Sequence, residues 1–451
     1  MTSTNSYNIP LVYSTYFQLH NQLRFIKHNF DPGWLARNNL DPFERVEVNR
    51  HNLRHLFQGR SHSIQADNLP DQCFLYPLTP GVQAFIDDQY LFTAKVLDRL
   101  AQGTAFLLLL DPCEANVIEG DDRGNSLSRV TEFLCNKHIN PNSLIFINNC
   151  YNLAEIQDQL NAQGQQIRAL YFPFLRSKIE SLDKRGTPWN FEYRKGIIPQ
   201  RTFLNTNYIW KPHRIFFLAE IVKRNLIDNF YISFKHEPPQ VQYMLDDQAR
   251  TNLSWAVGNS YILWEPWNSR DRIHISPELI GHIEQQILPL ELDTFDPARR
   301  GGEASDQLVR LFDQSLISLI SETHFEQEEI HITEKTFRAI SLEHPFIIMA
   351  SKGHLAALRE QGFQTFSQFW DESYDSVLDP ITRFELVLGL VEQIASWSPG
   401  RKEEFRQAVQ PILKYNRQLL DNLDTRSNWT ADHERVWQYI TNLTHKDFQV
   451  D

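Results

Sequence analysis

Glycine is scarce in this chain, at 17 of 451 residues, where an average protein would have about 7 %. The glycine-rich phosphate cradles are missing with it. No G-x-G-x-x-G follows a strand and no G-x-x-x-x-G-K-[ST] occurs, which removes dinucleotide oxidoreductases and P-loop enzymes from the leading readings. There is no G-x-S-x-G elbow, no H-E-x-x-H and no D-x-D, so the usual cues for a serine hydrolase, a zinc protease and a metal-chelated nucleotide-sugar site are lacking as well. Cysteine is also sparse. Cys73, Cys113, Cys135 and Cys150 show no C-x-x-C spacing, and reduced thiols in a cytoplasmic protein are the expectation. His51 and His55 stand four apart with no third ligand beside them, which leaves a metal site there without support.

Long apolar runs are missing too. The longest, AFLLLL at 105–110, is closed by Asp111 and Pro112, far short of the roughly 18 residues of a membrane span and well suited to a buried strand. The opening residues have no basic stretch followed by an apolar one, so no secretory signal is expected. Basic residues are the minority, 44 against 56 acidic, for a formal net charge of -12. That balance argues against nucleic acid or an anionic membrane as partner, while a local basic cleft for a phosphate stays compatible with it.

At 451 residues the chain exceeds the size at which one hydrophobic core stops growing, and two domains are expected. Residues 91–103 read as a helix stopped at Gly103. A regular alternation follows: AFLLLLD a strand, SLSRVTEFLCNKH a helix, SLIFINN a strand, NLAEIQDQLNAQG a helix and IRALYFPF a strand. Such alternation with short connections marks a parallel sheet covered by helices. Around 176–200 the pattern lapses into charged, turn-rich sequence. It restarts with RTFLNTN as a strand, HRIFFLAEIVKRNL as a helix and FYISF as a strand. QLVRLFDQ, SLISLISE, EKTFRAISL, PFIIMA and HLAALREQG then read as helix, strand, helix, strand and helix. RFELVLGLVEQIASW, EEFRQAVQPILKYNRQLL and ERVWQYITNLTHKDF read as three further helices. The organisation expected is an N-terminal Rossmann-like domain over 1–190, a second over 198–425, and a C-terminal helix at 426–451 packing back.

The most informative stretch is SLISLISETHFEQEEIHITEKTFRAISLEHPFII within 315–348. A strand ends at Ser321-Glu322-Thr323, and after a polar loop Thr333 opens a helix with Glu334 and Lys335 in its first turn. Thr333 is the N-cap of this reading, so backbone donors and the positive helix end meet any anion there. Lys335 adds a point charge and Glu334 an acceptor suited to ribose hydroxyls. An ordinary capped helix with an exposed Glu-Lys pair is the plainer reading of the same residues. The run SETHF…ITEKTFRAISLEHPFII resembles the donor-site motif of family-10-type α1,3-fucosyltransferases, in which Glu-Asn-Ser is followed by Tyr-Val-Thr-Glu-Lys-Leu and a Pro-Val-Val ending. It is more similar still to glycosyltransferase-like proteins of phages and aquatic bacteria, which share the SET, EKTF, HPFI and GF-TF pieces. Here Glu-Thr stands for Glu-Asn, and the glycine the family has before its last proline is replaced by Glu343-His344. By position, the resemblance implies that Glu334 and Lys335 hold the ribose and phosphates.

The resemblance extends to FLNTNYIWKPHRIFFLAEIVKRNLIDNFYISF at 203–234, where Arg214 heads a helix and is suited to a bidentate pair with a phosphate. It also reaches LLLLDPCEANVIEG at 107–120, where Asp111 and Glu114 follow a strand, at the end where open α/β sheets bind ligands. Each keeps a plainer alternative, a surface arginine and a turn-closing aspartate. The aromatic clusters LWEPW at 263–267 and FSQFWDESYD at 366–375 offer stacking surfaces for a sugar, or core filling.

What the resemblance implies is an α/β fold of two Rossmann-like domains facing across a cleft, the GT-B architecture, with a helical C-terminal tail. The implied activity is sugar transfer from a nucleoside-diphosphate sugar, with inversion and without metal or other cofactor, by a hexosyl- or deoxyhexosyltransferase. Arg214, Glu322, Thr333, Glu334 and Lys335 would bind the donor. Glu114 or Asp111 would serve as base, with Glu119, Asp121 and Asp122 in reserve, toward a glycan, peptide or small-molecule acceptor. Two alternatives stay open: a non-catalytic nucleotide- or glycan-binding module of the same fold, and a glycosyltransferase that modifies nucleic acid.

Overall fold

The structure, a computed structural model, describes residues 9–13, 56–57, 60–65, 69–78, 92–111, 126–162, 167–174, 198–207, 212–233, 262–264, 273–275, 306–423 and 430–446. It divides into two compact units, Met1–Phe174 with Thr425–Asp451, and Leu175–Asp424. Both are α/β.

The run AFLLLLD forms β4 (Ala105–Asp111) of the first unit. It pairs in parallel with β3 (Phe74–Leu78) on one side and β5 (Leu144–Asn148) on the other. A central parallel strand is covered on both faces and must be apolar at every position rather than at alternate ones. Accordingly Ala105, Leu107 and Leu109 enter one core cluster and Phe106, Leu108 and Leu110 the other. With β1 (Ile9–Tyr13), β2 (Ser61–Gln65) and β6 (Arg168–Tyr171) the sheet has the order β2-β1-β3-β4-β5-β6, parallel at every pairing. Helices α1 (Ala94–Ala101), α2 (Ser126–Asn136) and α3 (Leu153–Ala162) supply Val96, Leu100, Val130, Phe133 and Ile156 to the first cluster. The opposite face receives Val436 and Ile440 from the last helix, whose Trp437 meets Phe57 edge-on at 6.5 Å.

The second unit carries β7 (Arg201–Thr206), α4 (Pro212–Lys223), β8 (Phe230–Ser233) and a short antiparallel pair, β9 (Ile262–Trp264) and β10 (Ile273–Ile275). Then come α5 (Asp306–Asp313), β11 (Ser315–Ser321), α6 (Glu334–Ser341), β12 (Phe346–Met349) and α7 (His354–Glu360). Its parallel sheet has the order β12-β11-β7-β8. β11 is buried at all seven positions although three are serine, and buried hydroxyls need partners. Ser315 Oγ donates to Leu311 O at 2.7 Å and Ser318 Oγ lies 2.8 Å from His344 Nδ1. Because His344 Nε2 faces the carbonyl of Ser315 at 3.1 Å, Nε2 must carry the proton and Nδ1 accepts from Ser318.

Helices α8 (Pro380–Ala395), α9 (Pro399–Ala408), α10 (Gln410–Asn422) and α11 (Ala431–Lys446) complete the chain. EEFRQAVQPILKYNRQLL, expected as one helix, is two that meet at Val409. Pro411 has no N–H and fits only the first turn of a new helix, where it stands in α10. Among the described residues no helix is long and apolar enough to cross a membrane.

Scarce glycine leaves a mark on the helix ends. Among the described residues, five close with a left-handed residue and the paired 5→2 and 6→1 backbone bonds of the Schellman motif. Gly103 and Gly362 fill two of these positions, but His138, Asn225 and Glu343 fill the others, at φ of 55°, 56° and 49°. A side chain there clashes with the backbone and costs about 1–2 kcal/mol.

Candidate functional site

β11 ends at Ser321, and Glu322 N donates to Met349 O at 3.0 Å, continuing the ladder to β12 by one residue. The Glu322 side chain is 1 % exposed and bonded throughout. Its Oε2 accepts from Thr333 Oγ1 at 2.7 Å, and its Oε1 from Thr336 Oγ1 at 2.7 Å and Thr333 N at 3.3 Å. The strand end therefore grips the start of α6 across an eleven-residue separation.

Thr333 is the N-cap of α6: it has extended backbone, and its Oγ1 accepts from Lys335 N at 3.2 Å. Lys335 Nζ reaches back over the same turn, 3.1 Å from Thr333 Oγ1, 3.3 Å from Thr323 Oγ1, 3.5 Å from Glu334 Oε1 and 3.7 Å from Glu322 Oε2. Its side chain is 16 % exposed and that of Glu334 is 22 % exposed, so both remain within reach of solvent. An ammonium, a helix start and a partly exposed carboxylate thus converge at the carboxyl edge of a parallel sheet, the edge at which such sheets bind ligands.

Arg214 was expected to fork a phosphate. In the structure it is 3 % exposed, and Nη2 donates to the carbonyls of Ser321 and Glu322 at 2.9 and 3.1 Å. It holds the end of β11. His213, beside it, stacks on Phe325 with ring centroids 5.3 Å apart, and its Nε2 meets Glu322 O at 3.1 Å. Asn205 of β7 donates to Leu319 O and Ser321 Oγ at 2.7 and 3.1 Å, adding a third brace.

Below the carboxylate lies His354, the first residue of α7, with Nε2 at 4.0 Å from Glu322 Oε1. The start of α7 is itself occupied by Asp375, whose carboxylate accepts from Leu355 N and Ala356 N at 2.8 and 2.9 Å. Arg383 of α8 ties the surrounding loops, donating to Ala350 O at 3.0 Å, to Val377 O and Leu378 O at 2.6 and 3.1 Å, and to Phe325 O. Every one of these acceptors is main chain, and burial pushes its guanidinium down to about 10.

Arg214, Glu322, Thr333, Glu334 and Lys335 are brought together as one bonded cluster. Asp111 closes β4 of the other unit, while Glu114, Glu119, Asp121, Asp122, Cys113, His51 and His55 lie outside the described residues. Of the aromatic clusters, Phe366 and Trp370 are core: their rings pack on each other at 5.4 Å and on Phe346 and Phe405. Sequence reasoning passed over Thr336, His354 and Arg383. Thr336 stands within the EKTF run, whereas a single His in HLAALRE and a single Arg in TRFELV carry no local signal.

No protein-family model and no curated protein matches the chain. Among solved structures it is similar to a trehalose-6-phosphate synthase, at 10 % identity over 81 % of this chain and 80 % of that one, with a TM-score of 0.38. It is also similar to an α,α-trehalose 6-phosphate synthase from Burkholderia multivorans, at 10 % identity, 80 % and 79 % coverage and a TM-score of 0.36. A third is phage T4 BGT in complex with its UDP-glucose substrate, at 11 % identity, 97 % and 99 % coverage and a TM-score of 0.35. Likeness this low adds nothing to what the sheets themselves establish.

Proposed function

We propose that the chain is a GT-B glycosyltransferase that moves a hexosyl or deoxyhexosyl group from a nucleoside-diphosphate sugar to an acceptor hydroxyl, with inversion and without a metal ion. The observation that carries this reading is the capped start of α6, where Lys335 stands beside Glu334 at the carboxyl edge of the second sheet. Lys335 and the helix start neutralise the leaving diphosphate, taking the electrostatic role a divalent ion would otherwise have. Glu334 accepts from ribose hydroxyls. Glu322, Thr333 and Arg214 keep that turn in place. The first unit holds a glycan, peptide or small-molecule acceptor and supplies Glu114, or Asp111, to take its proton as the new bond forms.

Thermal-shift screening against nucleoside diphosphates and their sugars tests this directly, because a ligand at a hundred times its Kd stabilises the native state by about 2.7 kcal/mol. Lys335→Ala should keep the fold and lower transfer by roughly a hundredfold, the scale of one positioned charge. Glu114→Gln should abolish transfer and leave donor binding intact. Turnover should persist in excess EDTA. Binding with no release of nucleoside diphosphate would instead mark a binding module, and equal donor affinity in wild type and Lys335→Ala would remove the site.

A further inference from the structure

His354 is buried, at 2 % exposure, and its Nε2 has no hydrogen-bond partner among the described residues. That atom faces Glu322 Oε1 at 4.0 Å. A lone pair aimed at a carboxylate is repelled, so Nε2 carries the proton in the neutral ring. Three charged groups act on it: Glu322 from the end of β11, Lys335 from α6, and Asp375 from the turn before α8. Asp375 is already engaged by the start of α7 and lies 3.6 Å from Arg359 Nη2. Among the described residues Glu322 has one cationic partner, Lys335, and the neutral His354 ring beside it. Burial, foremost, holds the ring below the ordinary histidine value, and the Lys335 charge adds to that.

Lys335 therefore has two competing duties at the site argued above: it neutralises Glu322 at 3.7 Å, and it must meet a diphosphate. We propose that His354 is a positioning residue that takes a proton from solution when the donor draws Lys335 away from Glu322, so that nucleotide-sugar binding is coupled to uptake of about one proton. The imidazolium then stands opposite Glu322 in place of the ammonium, and the helix cap built on that carboxylate is preserved. Three donors, Thr333 N, Thr333 Oγ1 and Thr336 Oγ1, hold the Glu322 carboxylate in its place opposite the ring. The proposal rests on the donor reading of Lys335.

The test is isothermal titration calorimetry near pH 7 in PIPES and in Tris, buffers of different ionisation heat, with UDP-glucose, GDP-fucose, ADP-glucose and dTDP-glucose as probes. These sugars carry no titrating phosphate proton near neutrality, so buffer-dependent heat reports the protein alone. The expected result is uptake approaching one proton per nucleotide sugar in the wild type, and none in a His354→Gln variant that still binds. Should that variant not fold, ring-labelled histidine in the wild type should show the His354 resonance moving to its imidazolium position as the probe is added. Binding without proton uptake, or uptake unchanged in His354→Gln, would overturn the coupling while leaving the donor site standing. No binding of any probe by the wild type would overturn the donor reading, and the coupling with it.

Discussion

Glu343 occupies a left-handed position, φ 49°, at the end of α6, and its N–H donates to Ile340 O while His344 N donates to Ala339 O. The sequence has no glycine at this point, although only glycine adopts that conformation without a steric penalty. That absence was legible in the sequence; its meaning required the φ angle. Glu343→Gly should raise stability by about 0.5–1 kcal/mol, the relief of strain less the extra freedom glycine gives the unfolded chain. Urea denaturation of the two proteins would measure it. A loss of stability would show that the Glu343 side chain contributes more than its backbone costs.

At the scale of the element, α6 was legible from Thr333, Glu334 and Lys335, since a cap followed by charged first-turn residues is a local pattern. The brace beneath it was not. Glu322 lies eleven residues upstream and His354 belongs to the next helix, so only folding brings them to the same turn. Thr333→Val keeps the shape but removes the hydroxyl that bonds Glu322 and accepts from Lys335 N and Nζ. It should cost about 2 kcal/mol, a lost cap plus a buried carboxylate left short of a donor. Donor affinity should fall with it, because Lys335 loses its anchor; a thermal shift in the presence of nucleotide sugar reads both effects. The same contrast holds in the sheets. β4 was evident from its unbroken apolar run, whereas β1 and β3 contain Pro10 and Pro77, which argue against strands in any sequence reading.

For the whole molecule, His354 makes stability depend on pH in a definite direction. Its folded form stays neutral below the ordinary histidine value of 6.5, chiefly through burial, whereas the same ring in the unfolded chain takes up a proton. The unfolded state then binds more protons, so stability is unaffected above that value and is lost as pH falls below it. Unfolding free energies at pH 7.5 and 5.5 should therefore differ more for the wild type than for His354→Gln. An equal difference in both would show that other groups carry the acid sensitivity.

Arg383 has a further consequence. Its guanidinium grips the loops after β11 and β12 and the segment at 377–378 through the main-chain oxygens of Phe325, Ala350, Val377 and Leu378, and it lies 4.7 Å over the Phe325 ring. At Ala350, Val377 and Leu378 that grip takes hold of the backbone alone. A substitution at the exposed Leu378 therefore leaves the clamp intact, whereas a change at the Phe325 ring alters it.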